Sequence, residues 1–326
     1  FEGGSEEFRW SASLGYKDIQ GAMIGSGRKT FSGGVTLSYS YKNLTFRNQT
    51  SIGSNKSEES PYGSFSDYAR QQPYNAPWTD DGKLNRYFDG WDAWETQVQN
   101  PLYDATLGNI DKSGYVEIIN NFSVEWKMTP ELTLRGKFGI SHTNNTSDMY
   151  KSPESSEFKD YTGDQVLRKG RYAYTTGKAN TYEGNVTLSY AKVFGEVHSL
   201  YAGLDASIAQ NDSNSYGFTM EGFTNDRPFI GNALNYAEND MPSASEYTTR
   251  RLGLVGNVNY VYDNRYYVDL SLRTDGSSQF GSNKRFGTFW SAGLGWNVHN
   301  EHFWGENPYL NTLRLRLSYG ETGSQK

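Results

Sequence analysis

Apolar and polar residues alternate with a period of two along most of the chain, and clusters of Gly, Asn, Asp, Ser and Pro separate the alternating stretches. That pattern belongs to β-strands with one apolar face. Helical spacing is scarce. The alternation predicts eleven strands, at 8–17, 31–41, 44–52, 115–126, 132–141, 182–190, 197–209, 251–260, 266–275, 288–298 and 313–319. Most run 9–11 residues. At about 3.3 Å per residue and a tilt near 45° they span roughly 21 to 26 Å, the height of a transmembrane barrel's apolar band.

Within each strand the apolar parity is plain. It holds Phe8, Trp10, Ala12, Leu14 and Tyr16 in the first strand, Leu132, Leu134, Phe138 and Ile140 in the fifth, and Leu313, Leu315, Leu317 and Tyr319 in the last. The charged residues inside the spans are Arg9, Lys17, Arg47, Glu117, Glu125, Arg135, Lys137, Glu183, Asp205, Arg251, Asp269, Arg273, Asp275, Arg314 and Arg316. All lie on the other parity. Asn48, Asn120 and His198 are the polar exceptions on the apolar side.

Two architectures produce this pattern. A soluble sandwich buries the apolar face, whereas a membrane barrel turns it to lipid and lines a wet lumen with the polar set. The connections, about 13, 2, 62, 5, 40, 6, 41, 5, 12 and 14 residues long, put short turns on one rim and long loops on the other. That is the layout of an outer-membrane barrel. Every even-numbered strand also meets its short turn with an aromatic on the apolar parity: Tyr39, Trp126, Tyr190, Tyr260 and Trp296. Amphipathic rings favour the level where hydrocarbon meets headgroups. The fold expected is therefore all-β, part of a large antiparallel transmembrane β-barrel with long extracellular loops and short periplasmic turns. Bacterial barrels close with an even strand number, so eleven reads as part of a longer barrel, and no domain boundary falls within 1–326.

Composition supports a wall without a thick interior. Counting Gly and leaving out Tyr, about 38% of residues are apolar, against roughly 45–50% in ordinary globular domains. Yet 25 Tyr, 17 Phe and 8 Trp argue for order. The net charge of −6 leaves no electrostatic footprint for nucleic acid. The absence of cysteine removes disulfides and thiolate chemistry.

Catalysis has no visible carrier. His299 and His302 sit in a turn without the spacing of a zinc-protease motif. Asp80-Asp81-Gly82 lacks the ligand register of a calcium loop, and Gly25-Ser26-Gly27-Arg28-Lys29 lacks phosphate-loop context. No metal or cofactor is expected. The 53–114 segment differs: Tyr74, Trp78, Tyr87, Phe88, Trp91 and Trp94 stand among Asp, Asn and Gln without strand alternation. Rings beside amides and carboxylates make platforms for sugars or peptides, although they suit better a long loop that needs a small core of its own. These six are the substrate-binding candidates. Arg135, Lys137, Asp269, Arg273, Arg314 and Arg316 are expected to face the lumen.

Three stretches resemble the SusC/RagA family of TonB-dependent outer-membrane transporters. They are Phe1-Glu2-Gly3-Gly4-Ser5-Glu6-Glu7, the loop Gln72–Lys83 with Asn100-Pro101-Leu102-Tyr103, and above all the block from Tyr266 to Gly281 that continues through Lys284–Trp296 and Leu313–Gly323. The resemblance implies a 22-stranded barrel around a plug, a SusD-like surface lipoprotein as its lid, and import of oligosaccharides or peptides driven by TonB with ExbB and ExbD. It also implies the outer membrane of a Gram-negative, Bacteroidetes-like cell, with outer-membrane lipid around the wall. Plug, Ton box and final barrel strands are not recognised within these residues, and TonB is expected to act through an N-terminal region outside them. The rival reading is a non-transporting surface barrel or adhesin.

Overall fold

The structure is a computed structural model that describes residues 1–89, 97–238, 240–281, 285–305 and 309–323. All eleven expected strands form. In chain order the strands are β1 (Glu2–Gly4), β2 (Phe8–Gln20), β3 (Gly27–Tyr41), β4 (Leu44–Glu58), β5 (Tyr87–Asp89), β6 (Gln97–Gln99), β7 (Ile110–Lys127) and β8 (Leu132–Lys151). They continue as β9 (Arg171–Phe194), β10 (His198–Phe223), β11 (Ala233–Tyr236), β12 (Ser243–Tyr262), β13 (Tyr266–Ser277), β14 (Phe286–Asn297) and β15 (Arg314–Gly320). Strands β5 and β6 pair apart; the rest make one 13-stranded antiparallel meander in the order β1-β2-β3-β4-β7-β8-β9-β10-β12-β13-β14-β15, with β11 added to the end of β10. Among the described residues no helix is long and apolar enough to cross a membrane.

Short turns hold one rim at 42–43, 128–131, 195–197 and 263–265, and long connections leave the opposite rim at 59–109, 152–170 and 224–242. Tight reversals between twisted strands need left-handed backbone. Asp263 and Asn264 supply it at φ 47° and 52°, closed by the Arg265 N–H on the Tyr262 carbonyl at 2.8 Å. Asp and Asn tolerate that region better than branched residues do. The connection 298–313 is the exception, a long segment on the short-turn rim.

The strands outrun their sequence-predicted limits, and almost all of the excess lies toward the long loops. Strand β10 was expected to stop at 209 and continues to Phe223; β9 starts at Arg171 instead of 182. The residues added in β10, Gln210 to Gly217, carry no apolar alternation, yet they keep full register with β9 and β12. Beyond an apolar band both faces meet water, so periodicity vanishes while the backbone still has to be paired. Side chains tie the extension: Gln210 and Thr248 both donate to Asp212 at 2.8 Å, and Arg250 donates to Gln210 at 3.0 Å. The β2–β3 connection shrinks for the same reason, from about 13 residues to 21–26, with Gly27, Arg28 and Lys29 inside β3.

Among the described residues no conventional core lies behind the sheet. The buried hydrophobic residues are Phe88, Tyr150, Phe158, Phe223 and Val298, and none belongs to the middle of a strand's apolar face. On that face Leu14 is 76% exposed, Ile208 61%, Leu270 50% and Leu317 73%. Water-soluble monomers rarely leave so many large apolar side chains of one face uncovered.

Candidate functional site

The sheet curls around its charged parity. A hollow of about 1120 Å³ is lined by Arg47 of β4, Lys137 of β8, Glu183 of β9, Arg251 of β12 and Arg273 of β13, and by Glu321 just after β15. Side chains from strands far apart in the meander thus meet across one concave space. Arg273 pairs with Asp275 at 2.5 Å in its lining, and Arg135 pairs with Glu125 at 2.6 Å elsewhere on the same parity. Both arginines are about half exposed or more, so each pair adds only about 0–1 kcal/mol. Asp269 and Arg316 line a smaller recess on the same side, 3.9 Å apart, and the Asn259 amide donates to Asp269. Arg314 donates to Asn297 at 2.8 Å and lies over the Tyr267 ring. Arg135, Lys137, Asp269, Arg273, Arg314 and Arg316 lie on one parity of the sheet by strand register.

Above the hollow, at the long-loop rim, loops from three connections pack on one another. Tyr150 at the end of β8 is fully buried and meets Phe223 of β10 edge-on at 5.1 Å. Gly170 carries φ 83°, and a Cβ there would stand 2.9 Å from that of Phe223, so the 152–170 loop closes here only with glycine. Asp104, at the end of the short helix α1 (Pro101–Asp104), accepts from the Ser156 N–H at 2.8 Å and from the Ser156 hydroxyl. Asn100 caps that helix, its side chain accepting from the Leu102 N–H at 3.1 Å with Pro at the first turn. Arg168 bridges the buried Glu221 at 3.1 Å and Glu238 at 2.6 Å. The result is a loop layer with its own interior, built from Asn100, Asp104, Tyr150, Ser156, Phe158 and Phe223. Periodicity does not find these residues; Asn100-Pro101, a pair suited to a helix start, is a local signal that could have marked one of them.

The aromatic candidates divide. Tyr74 is 81% and Trp78 54% exposed on the 59–109 loop. Trp78 bridges to Leu84 around the turn 79–83, where Thr79 and Lys83 both bind the Asp81 carboxylate, at 2.5 and 2.9 Å, and hold it below its ordinary range. Asp81 therefore serves the turn. Tyr87 is half-buried with the Arg86 guanidinium over its ring at 5.3 Å; burial pushes its phenol, and that of Tyr103, above the ordinary value. Phe88 corrects the expectation of an open platform: it is 7% exposed and packs inside the loop layer, because a segment this long must bury something of its own. Trp91 and Trp94 lie outside the described residues.

At the opposite rim a row of rings forms that shares only Trp296 with the five expected to make a girdle. His198, Tyr262, Tyr266 and Trp296 follow one another across β10, β12, β13 and β14 with centroids 5.1, 6.3 and 6.4 Å apart. Tyr260 bonds the His198 ring nitrogen through its hydroxyl at 2.6 Å, which satisfies one of the polar exceptions on the apolar side. The Glu301 carboxylate takes hydrogen bonds from the Tyr266 hydroxyl at 2.6 Å, the Trp296 Nε1–H at 2.9 Å and Arg265 at 3.0 Å. Those donors, Tyr266 and Trp296 foremost, hold it down to about 2. His299 bonds the Leu313 carbonyl at 2.9 Å and serves the backbone of this connection.

No family model matches the chain. It is 26% identical to the TonB-dependent receptor P39 of Formosa agariphila, over 100% of this chain and 30% of that protein. It is 25% identical to the TonB-dependent receptor SusC of Bacteroides thetaiotaomicron, over 99% of this chain and 33% of that one. The chain thus spans about a third of these relatives. Its fold matches the RagAB peptide transporter with a TM-score of 0.76 at 23% identity, covering 98% of this chain and 36% of the other. The ferric citrate transporter FecA matches with a TM-score of 0.57 at 7% identity, over 91% of this chain and 38% of that one. Sequence likeness along the whole chain, a meander of membrane-height strands and a charged concave face agree: the chain is similar over its full length to the β-barrel wall of SusC- and RagA-type TonB-dependent receptors.

Proposed function

We propose that this wall belongs to an outer-membrane transporter that imports nutrient oligosaccharides or peptides, energised by TonB with ExbB and ExbD and lidded by a SusD-like lipoprotein. The observation that carries the reading is the pairing of two faces on one sheet: an uncharged exterior of membrane height, and a concave interior lined by Arg47, Lys137, Glu183 and Arg251. Apolar outer residues suit hydrocarbon. Charges on the inner side stay hydrated, as a conduit for polar cargo requires. Likeness to a TonB-dependent receptor supports the energy source, and the fold shared with a peptide transporter supports peptide as one class of cargo. In this reading the residues form part of the barrel, and the plug and Ton box lie in other parts of the full-length protein. Tyr74 and Trp78 stand at the outer mouth as contacts for cargo.

The test is uptake by cells that carry the full-length protein, supplied with labelled oligosaccharides and peptides, with and without a functional TonB. Uptake of one class should need both the protein and TonB. Surface display with TonB-independent uptake, or adhesion without uptake, would favour the adhesin reading instead.

A further inference from the structure

We propose that the recess between the 152–170 loop and the long-loop ends of β9 and β10 is a subsite that holds a cationic group of peptide cargo, an ammonium or a guanidinium, on Glu221 and Glu238. The proposal rests on the import reading above and narrows its cargo. The recess has a volume of about 490 Å³, and its lining includes Tyr161, Arg168, Arg171, Glu221, Glu238 and Asp240. That volume falls within the roughly 300–1,000 Å³ of small-ligand sites. Strands β9 and β10 pair without interruption up to Arg171 and Glu221, so Glu221 shares the wet parity of Asp205, and Arg171 that of Glu183. The recess therefore lies on the charged side of the sheet, at the rim where cargo enters under this reading.

Two observations point to a ligand. The first is an imbalance of charge. Arg168 lies 3.1 Å from Glu221 and 2.6 Å from Glu238, so one guanidinium faces two carboxylates, and Asp240 in the same lining adds a third. The other cation of the lining, Arg171, is engaged by Glu157 at 3.3 Å. The second is an open valence. The Glu221 side chain is only 8% exposed, and among the described residues its Oε1 accepts no hydrogen bond, although Arg168 stands beside it. A buried carboxylate oxygen without a donor is costly, and a positively charged donor relieves it most. A neutral hydroxyl would fill the bond and leave the charge unbalanced. Of the two cargo classes in the import reading, peptides carry such cations on lysine, arginine and the chain terminus, and neutral oligosaccharides carry none.

The experiment uses the full-length protein, purified in detergent for titration calorimetry and displayed on cells for uptake of the same probes in tritiated form. The probes are acetylated, amidated octapeptides of Gly and Ser with Lys, Arg, norleucine or Glu at one central position, together with chitosan hexamer and its N-acetylated form. The Lys and Arg peptides should bind about tenfold or more tightly than the norleucine peptide, the size of one charge-assisted hydrogen bond. Glu221→Gln should abolish that preference and Glu238→Gln should reduce it, with folding checked by heat-modifiable migration. Because Glu238 is 63% exposed, its variant keeps the test decisive where Glu221→Gln misfolds. Equal or undetectable binding of the Lys and norleucine peptides, or a preference that survives both variants, would overturn the proposal. So would a preference confined to chitosan, which would assign the subsite to amino sugars. Lys-selective binding without TonB-dependent uptake would leave the subsite standing and bring down the import reading instead.

Discussion

Asn48, Thr50 and Asn120 show how a polar residue survives on a face meant for lipid. The Asn48 amide donates to Asn120 at 3.2 Å, Asn120 returns the bond at 3.1 Å, and Asn120 also donates to Thr50 at 2.7 Å. Reciprocal bonding leaves few polar groups bare, and bareness is what costs free energy in hydrocarbon. Asn120→Leu should therefore destabilise the barrel by about 1–3 kcal/mol, by stranding Asn48, while Asn48→Leu with Asn120→Leu should recover most of the loss. Urea unfolding in lipid vesicles measures both. Equal losses in the single and double variants would show that the amides do not act as a pair. Glu301 makes a residue-scale prediction of opposite kind. Its folded pKa of about 2 lies below the ordinary 4.5, so the ionised form is favoured in the folded protein. The stabilisation is complete above pH 4.5 and is lost as pH falls through about 2. Thermal unfolding from pH 7 down to pH 2 should lose this contribution in the native protein and show no such step in Glu301→Gln.

At the scale of the strand, parity is the rule that everything else obeys. Leu270 and Ser271 are neighbours in β13 with the same backbone pairing to β12 and β14, and they point to opposite sides. Leu270→Arg should cost about 2–4 kcal/mol near the bilayer middle, and Ser271→Arg should be mild because that side is wet. The same contrast is expected between Leu134 and Thr133 in β8. Comparable losses for both members of a pair would refute the face assignment. Strand length obeys a different rule. Within the apolar band the alternation marks each strand; above it, the ladder of β9, β10 and β12 continues on hydrogen bonds alone. Thus the apolar pattern locates the membrane-height part and understates the whole.

At the scale of the molecule, the sheet makes a curved partition with a charged concave side and a lidlike loop layer at one end. Its edges, β1 and β15, each pair on one side only among the described residues. The long loops place Tyr74 and Trp78 in the open, while Phe88 and Tyr150 give the loop layer its interior. If Tyr74 and Trp78 contact cargo, Tyr74→Ala with Trp78→Ala should lower the apparent affinity of uptake about tenfold, a loss of about 1.4 kcal/mol, without reducing surface abundance. Uptake kinetics with a surface-labelling control decide the matter: unchanged kinetics would remove both from the site. A combined fall in uptake and abundance would mark them as structural.

The order, direction and facing of the strands were determined by local chemistry. A residue and its second neighbour share a side, so apolar alternation from Phe8 to Tyr319 suffices to read which side meets which medium. Turn residues such as Asp263 and Asn264 then set where the chain reverses. Tertiary structure decided what depends on residues far apart in sequence meeting in space: Asp104 with Ser156, Tyr150 with Phe223, Arg168 with Glu221 and Glu301 with Tyr266. It also decided that Phe88 turns inward while Trp78 stays open, because which ring a loop buries depends on the loops that land against it. Periodicity carries no record of such meetings, since a hydrogen bond or ring contact across tens of residues imposes no repeat on either partner.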